Sequence, residues 1–433
     1  MMQPGTELVL PVEKPAAGGR MLARHNGEVV LVAGTVPGEV VRARVERVGR
    51  GVAYAATVEV IDASPDRRSV IADPACGGNA YAHVRYERQL ALKGEVIADA
   101  LRRIARMPAP PPIAIAASPE QGYRMRARLH VRDGAIGFFR EGTHDLCDAG
   151  TSGQLLPETA DLMARLSFRL RGEQVAGITA IDLAENLSAS ERALHLDWVG
   201  PDPQPSLAWL FADFPLTGVS RSSGGGVTSE TVAGVPFVSD VFSVPGARHE
   251  PVAVTLRRHA RAFFQANRYL LPRLLSRVVE LVPPGPAVDL YAGVGLFAVS
   301  LAASGREQVS AIEGDRTCAA DLRVNAKPFG AGLQVFATSV ERFVEEHRRV
   351  PKATLLLDPP RTGMSREAAA GVAMLGAPRV VFVSCDVATF ARDVRRLLDA
   401  GYELESIEAF DLFPNTAHVE ALAVLVTAGG RPR

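Results

Sequence analysis

The sequence predicts an α/β protein: a C-terminal doubly wound sheet over residues 251–433, preceded by a central α+β domain over 65–250 and a small β-barrel over 1–64. Three observations carry this prediction. From residue 251 short apolar runs recur with helical segments between most of them: AVDLY (287–291), QVSAI (308–312), ATLLL (353–357), RVVFV (379–383), ESIEAFDLF (405–413) and EALAVLVT (420–427). Strands alternating with helices read as a doubly wound sheet. The first 64 residues read instead as short strands and tight turns. And 433 residues, 47% of them hydrophobic, supply core for two or three domains.

In the N-terminal part, LARHNGEVVLV places Asn-Gly between two strand-like runs, a strong hairpin signal. VVRARVERV alternates, with Val41, Ala43 and Val45 on one face and Arg42, Arg44 and Glu46 on the other. Small barrels of this kind bind oligonucleotides or serve as packing modules, and the strands alone leave both open. From Tyr86 to Met107 the pattern is helical, with Leu90, Ile97, Leu101 and Ile104 on one stripe, until PAPPPIAIAASP breaks it. YRMRARLHVRDGAIGFF (123–139) alternates like strands of a mixed sheet, and residues 150–250 hold helices, strands and the glycine-rich loop SSGGGV.

Composition excludes several classes. Lys+Arg and Asp+Glu are both 48, so any nucleic-acid binding needs positive charge arranged locally. The four cysteines, Cys76, Cys147, Cys318 and Cys385, form no C-x-x-C pair and are read as no disulfide framework. The nine histidines lack zinc-ligand spacing, so no metal site is expected. No apolar run reaches the roughly 18 residues of a membrane span, and MMQPGTELVLPVEKP lacks the apolar core of a signal peptide. The expectation is a cytoplasmic monomer with Cys385 as a free thiol.

Chemistry-bearing motifs cluster in the last third. In DLYAGVGLFAVSLA (289–302) a strand ends at Asp289, a loop carries Gly293 and Gly295, and a helix starts near Leu296. Glycines there let a ligand approach the backbone. Glu313 ends the next strand, 24 positions after Asp289, where a carboxylate can take both hydroxyls of a ribose. In LLLDPPRTGM (355–364) Asp358 stands at the carboxyl end of a strand, where open parallel sheets bind ligands. VFVSCDVATFARD (381–393) puts Cys385 at the next strand end. A lone buried cysteine is ordinarily a small hydrophobe, but a strand end in a cofactor-binding sheet favours a nucleophile, with a helix N-terminus expected to lower its pKa. In FDLFPNTAHVEALAVL (410–425) Glu420 enters the last strand, an awkward place for an unpaired carboxylate, with His418 and Asp411 nearby. It is read as a general base beside the thiol. RRHARAFFQANRYLLPRLLSR (257–277) holds six arginines and no acid. With Phe263, Phe264 and Gln265 it suits phosphates and a stacked base, and Arg124, Arg126, Arg128, Arg132 and Arg140 form a sparser second set.

Taken together, FFQAN, DLYAGVGLF, the DPPR loop, VSCDVATFARD and FPNTAHVE resemble the RNA uracil-C5 methyltransferases, which make 5-methyluridine, and they occur in that family's order. The N-terminal barrel resembles the TRAM domain, and YRMRARLHV and IGFFREGTHDL resemble the family's central domain. The resemblance implies a Rossmann-like catalytic sheet, S-adenosylmethionine as cofactor and RNA as partner. It implies Cys385 as nucleophile toward carbon 6 of uracil and Glu420 as the base that takes the carbon-5 proton. By position Gln265, Tyr291, Gly293, Gly295, Glu313 and Asp358 resemble the cofactor-binding residues, while Ser339 stands where the family has Asn or Asp. The target uridine is expected to flip from its stack, and the TRAM-like barrel favours ribosomal over transfer RNA. Many members hold an iron–sulfur cluster on four cysteines. Here only Cys76 matches, with Val70, Asn79 and Ser152 at the other positions, so no cluster is expected. Two other readings stay open: an amino-group base methyltransferase using the Asp-Pro-Pro loop, and an inactive RNA-binding protein.

Overall fold

A closed barrel opens the chain, built from β1 (Glu7–Pro15), β2 (Met21–His25), β3 (Glu28–Ala33), β4 (Val40–Gly49) and β5 (Val52–Asp62) in the order β1-β2-β3-β5-β4. The computed structural model describes residues 2–70, 76–199, 207–223, 228–247, 250–347, 350 and 352–427, and elements and counts below are those of the described residues. Asn26 and Gly27 take φ of 49° and 83°, as the β2–β3 hairpin turn requires. Val41, Ala43 and Val45 point into the barrel, as their alternation predicts.

Helix α1 (Tyr86–Arg103) follows, then β6 (Ala114–Ala116), β7 (Arg126–Arg132), β8 (Ala135–Phe139), β9 (Leu146–Asp148), α2 (Pro157–Gly172), β10 (Ile178–Glu185), β11 (Arg192–Trp198), α3 (Ala208–Asp213), β12 (Gly218–Ser223) and β13 (Thr228–Gly234). All these strands except β6 build a seven-stranded sheet, β13-β12-β11-β10-β7-β8-β9. Most of the SSGGGV loop, residues 224–227, lies outside the described residues. A hairpin of β14 (Phe237–Pro245) and β15 (Pro251–His259) comes next.

The remaining elements are α4 (Leu271–Leu281), β16 (Ala287–Leu290), α5 (Leu296–Ala303), β17 (Val309–Ile312), α6 (Arg316–Ala326), β18 (Leu333–Phe336), α7 (Val340–Glu346), β19 (Thr354–Leu357), α8 (Arg366–Leu375), β20 (Arg379–Ser384), α9 (Val387–Asp399), β21 (Glu403–Phe410) and β22 (Glu420–Val426). Their sheet runs β18-β17-β16-β19-β20-β22-β21-β6. β18 through β20 are parallel, and β22 returns antiparallel. The chain leaves β16 toward β17 on one side and reaches β19 on the other. The switch point, and with it the binding crevice, therefore lies at the carboxyl ends of β16 and β19. β6 is contributed from outside the C-terminal run and pairs in parallel with β21.

Three expectations are overturned. The arginines of 257–277 are mostly structural. The first of them end β15 in a hairpin strand, where Arg258 is fully buried against Asp240 at 2.8 Å. Arg257 reaches Asp321 (3.3 Å), Arg277 reaches Glu408 (2.6 Å), and Arg268 is bonded to Glu185. A run free of acids in sequence is thus paired with acids from elsewhere. The α1 stripe is overturned in part: Ile97 and Leu101 are buried, but Ile104 is 40% exposed, and Gln89 and Lys93 are buried instead. Finally, Cys76 and Cys147 form a disulfide, with Cα atoms 5.7 Å apart, although spacing spoke against one. β9 lies beside the Cys76 turn, which pairs with Arg140 and donates its Gly77 amide to the Phe139 carbonyl. Tyr81 and Val84 pack the same segment into the barrel core. Among the described residues no helix is long and apolar enough to cross a membrane.

Breaking a buried pair by removing one partner costs about 3–5 kcal/mol. Arg258→Ala is therefore expected to lower the denaturation midpoint sharply. Arg273→Ala, an exposed arginine of the same run, should leave the midpoint within error. Equal effects in urea titrations would contradict this division.

Candidate active site

One cavity of about 720 Å³ opens at the switch point, and it collects Gln265, Tyr291, Gly293, Glu313, Asp358, Cys385 and Glu420. All but one of the residues singled out from sequence thus meet in one place. Gly295 is the exception. It sits at the start of α5 with φ of 99°, and a Cβ there would stand 2.7 Å from Val299 and 2.8 Å from Leu322. Its role is the close packing of the loop onto α5 and α6. Gly293, with φ of 58°, faces open space where a Cβ would meet nothing within 4 Å. That is the room a ligand needs beside the backbone.

The cavity's two acid-bearing walls differ. Glu313 follows β17 and accepts from the Gly293 amide (2.7 Å) and the Asp315 amide (2.6 Å), so it fixes the glycine loop. Burial raises its pKa against those amides. Asp289, buried in β16, holds the start of α5 by accepting from the Ala298 amide at 3.0 Å. Burial and the nearby Asp358 push it well above the carboxylate range. Asp358 follows β19 and accepts from Gln265 Nε2 at 3.3 Å, and burial pushes it up to about 7. Tyr291 takes the left-handed conformation, φ 73°, which turns the chain out of β16 into the loop. Ser339 also lines the cavity, but its hydroxyl caps α7 by accepting from the Arg342 amide.

Opposite lies the pair Cys385 and Glu420. In the antiparallel register of β20 and β22, Ser384 faces Ala421. Cys385, one residue past the end of β20, and Glu420, the first residue of β22, both line the cavity at that end of the pair. The expected lowering of the thiol pKa is not found: burial, then Glu420 and Asp358, push it up to about 12. The reason is local. Asp386 caps α9 and its carboxylate takes the Thr389 amide at 2.8 Å, so the helix N-terminus is spent on Asp386 rather than on sulfur. Arg361 opposes the rise, as it lies beside the thiol. Glu420 is 1% exposed, and neither carboxylate oxygen has a hydrogen-bond partner among the described residues. Burial and Asp358 raise it well above the usual range, again against Arg361. Three acids converging in so dry a place cannot all ionise. Burial and the neighbouring acids thus favour the protonated forms of the thiol and of Glu420.

Sequence reading passed over Arg361, which was quoted in the DPPR loop but not singled out, and which lines this cavity. Of the residues read as suited to RNA, Arg124 and Arg126 enter from the turn before β7 and from β7 itself, and Phe263, 58% exposed, stands at the wall. His418, flagged near Glu420, is neutral, its pKa brought down to about 4 by burial and then Arg361. Asp411, flagged beside it, is instead committed elsewhere, to Lys93 Nζ at 2.5 Å.

Comparison with known proteins follows from this geometry. A family model described as tRNA (Uracil-5-)-methyltransferase matches residues 236–428, and one for the TRAM domain matches residues 2–58. A 23S rRNA (uracil(1939)-C(5))-methyltransferase RlmD of Pseudomonas entomophila (strain L48) is 31% identical over 439 residues, covering 97% of this chain and 94% of its own length. The protein of that name from Pseudomonas fluorescens (strain Pf0-1) is 32% identical, covering 97% and 92%. Among solved structures, the Pyrococcus abyssi tRNA (uracil-54, C5)-methyltransferase in complex with S-adenosyl-L-homocysteine superposes with a TM-score of 0.73 at 24% identity, covering 96% of this chain and 99% of that one. That likeness bears on the fold.

Glu420 is an acid whose folded pKa lies above its unfolded value of 4.5. Its contribution is therefore complete below about pH 4.5 and is lost as pH rises toward the folded value. Glu420→Gln keeps the protonated form's shape at every pH. Its melting temperature should exceed wild type by at least about 2 °C at pH 8, the effect of about 1 kcal/mol on a domain of this size, and the gap should close at pH 5. A pH-independent gap would place Glu420 ionised in the folded protein.

Proposed function

The chain belongs to the RNA uracil-C5 methyltransferases, enzymes that methylate carbon 5 of uridine in RNA with S-adenosylmethionine, and from this premise we propose that it works through a covalent adduct between Cys385 and carbon 6 of the target uracil. The observation that carries the reading is that Cys385, just past the end of β20, and Glu420, at the start of β22, lie together in the cavity that Gly293, Glu313 and Asp358 line, near enough for Glu420 to act on the thiol.

The cavity's features fit the cofactor. Gly293 leaves space at the backbone, Glu313 lies at the β17 end for a ribose, and Asp358 with Gln265 offers polar partners. When bound, the cofactor supplies an electrophilic methyl group. Cys385 must give its proton to water before it can attack, and Arg361 is the cation beside the thiol that favours the thiolate. The sulfur lone pair forms the bond to carbon 6, and the ring electrons move toward the carbonyl oxygen at position 4. Carbon 5 is then a nucleophile and would take the methyl, the electrons of the broken S–CH3 bond remaining on the cofactor's sulfur. Glu420, having released its own proton to water, removes the proton from carbon 5. The electrons of that C–H bond restore the ring double bond and expel the Cys385 thiolate. The burial that acts against the charged form of Glu420 also makes its carboxylate a strong base when the proton has left.

The 23S rRNA relatives and the TRAM-like barrel favour ribosomal over transfer RNA as the substrate class. A monomer suffices, because both catalytic groups and the cofactor residues come from one chain. The donor set does not fit an iron–sulfur cluster: Cys76 and Cys147 are bonded to each other, Ser152 donates to the Ala149 carbonyl, and Cys318 and Cys385 belong to the catalytic sheet. Protein purified without oxygen should contain less than about one iron per chain, against the four that a cluster of this family type needs. Four irons with blue-region absorbance would refute this.

The adduct is tested with Glu420→Gln. With the base gone, the enzyme should remain bound to methylated RNA on a denaturing gel, while Cys385→Ala forms no adduct and transfers less than about a hundredth of the wild-type methyl. A Glu420→Gln enzyme that turns over normally, or a Cys385→Ala enzyme with a tenth of wild-type rate, would remove these assignments. Nucleoside mapping of RNA from a deletion strain identifies the uridine.

A further inference from the structure

The arginines of the two basic runs divide by what they touch. Arg128, Arg257, Arg258, Arg268 and Arg277 each face a carboxylate. Arg124 forms no ion pair among the described residues. Its Nη1 donates to Gln154 Oε1 at 2.6 Å and its Nε to the Arg126 carbonyl at 3.1 Å, both neutral acceptors. Its guanidinium lies over the rings of Phe138 (5.0 Å) and Phe413 (5.9 Å). It lines the catalytic cavity together with Arg361.

The charges nearest Arg124 are positive. Burial, and then Arg126 and Arg361, act against its charged form. A guanidinium does not give up its proton under these conditions, so Arg124 and Arg361 stay charged and repel each other across the cavity. Burial and Asp358 act against the charged form of Glu420, so it offers little compensation. Two part-desolvated cations facing one space are relieved by an anion that enters it, and planar guanidinium forks suit phosphate. Three of Arg124's five N–H donors remain for such a partner. A uridine flipped into the cavity carries its own phosphodiester to the wall that Arg124 occupies.

We propose that Arg124, with Arg361 opposite, binds the phosphodiester of the flipped nucleotide and so sets the depth to which the base enters. This rests on the uridine reading above. The carboxylate of the cofactor is the other anion within reach of the cavity. Position favours the phosphate: Arg124 stacks on Phe413, in the loop that leads to Glu420, whereas Gly293 and Glu313 stand at the ends of β16 and β17.

The test uses the full chain saturated with S-adenosylhomocysteine and a fluorescent oligouridylate, followed by anisotropy over a range of potassium chloride concentrations. Arg124→Gln should bind about tenfold more weakly, with the slope of log affinity against log salt reduced by about 0.7, one single-strand phosphate contact. Arg124→Met, whose stem still packs on both rings, should behave alike and carries the test if the Gln variant melts early. Cys385→Ala should keep the wild-type slope. An unchanged slope in both Arg124 variants overturns the proposal. So does a loss of affinity for S-adenosylhomocysteine with none for 5′-methylthioadenosine, which would assign Arg124 to the cofactor carboxylate. If the slope falls but no uridine is methylated at carbon 5 by wild type, the phosphate site stands and the uridine reading fails.

Discussion

The antiparallel register of β20 and β22 is the constraint on which the catalytic geometry depends. Side chains on a strand alternate with a period of two, so a slip of one residue would send Glu420 to the far face, away from Cys385. The register is held by residues with no chemistry of their own. Val380, Val381, Phe382 and Val383 of β20 face Leu422, Ala423, Val424 and Leu425 of β22, and all are buried. A slip would expose no new face to water, since both faces are covered. What fixes the register is packing shape and the loops that tether each end.

Those tethers come from two helices. α9, which starts just after Cys385, reaches back to the loop that carries Arg361. Thr389 Oγ1 donates to the Arg361 carbonyl at 3.0 Å, Asp393 accepts from the Met364 amide at 2.8 Å, and Arg392 and Arg396 donate to the Met364 carbonyl at 3.2 and 3.1 Å. Gly363 is required there because a Cβ would stand 2.5 Å from Asp393. α1 does the same for the loop before Glu420, from the other side of the molecule. Lys93 Nζ donates to Asp411 at 2.5 Å and to the Phe413 carbonyl at 3.1 Å. Gln89 and Asn415 exchange bonds at 2.9 Å each. Gln89 and Lys93, four apart, share one helix face. The thiol, the cation beside it and the buried acid are thus each fixed from outside the cavity, which suits a site that must align three groups before a base arrives.

Much of this was legible because local pattern and global fold agree. Six short apolar runs marked strands of the C-terminal sheet, and the Asn-Gly turn marked a hairpin with the left-handed residues that turn needs. Tyr291, Glu313, Asp358 and Cys385, which meet in the cavity, were legible as residues just past strand ends. What escaped has one physical character: it depends on partners distant in sequence. β6 is three residues long and earns its place only by pairing with β21. The buried face of α1 is polar because Asp411 and Asn415 cover it, so its apolar residues mark the stripe only in part. The arginine run was misjudged because Asp240, Glu185, Asp321 and Glu408, which neutralise it, lie between 18 and 131 residues away. The disulfide joins cysteines 71 residues apart. And the thiol's raised pKa follows from its burial and then from Glu420 and Asp358, which lie 35 and 27 positions away in sequence, while Asp386 takes the helix end that sequence position had assigned to sulfur.

The barrel is joined to this same machinery. Gly19, between β1 and β2, lies so close to the loop before Glu420 that a Cβ on it would stand 3.2 Å from Ala417 Cβ. The next residue, Arg20, donates to Glu46 at 2.9 Å and lies 5.7 Å from the Tyr54 ring centroid, where Arg47 stacks at 3.4 Å. A strand of RNA touching the barrel at Tyr54 would therefore press on a surface continuous with the loop that Lys93 and Gln89 hold. Because that loop leads directly into Glu420, contact energy at the barrel and alignment of the base share one short span of chain. On the proposed reading of Glu420 as the base, closeness of this kind would let binding at the barrel support the chemical step, since interactions far from the reacting atoms raise the rate when they hold the reacting groups in place.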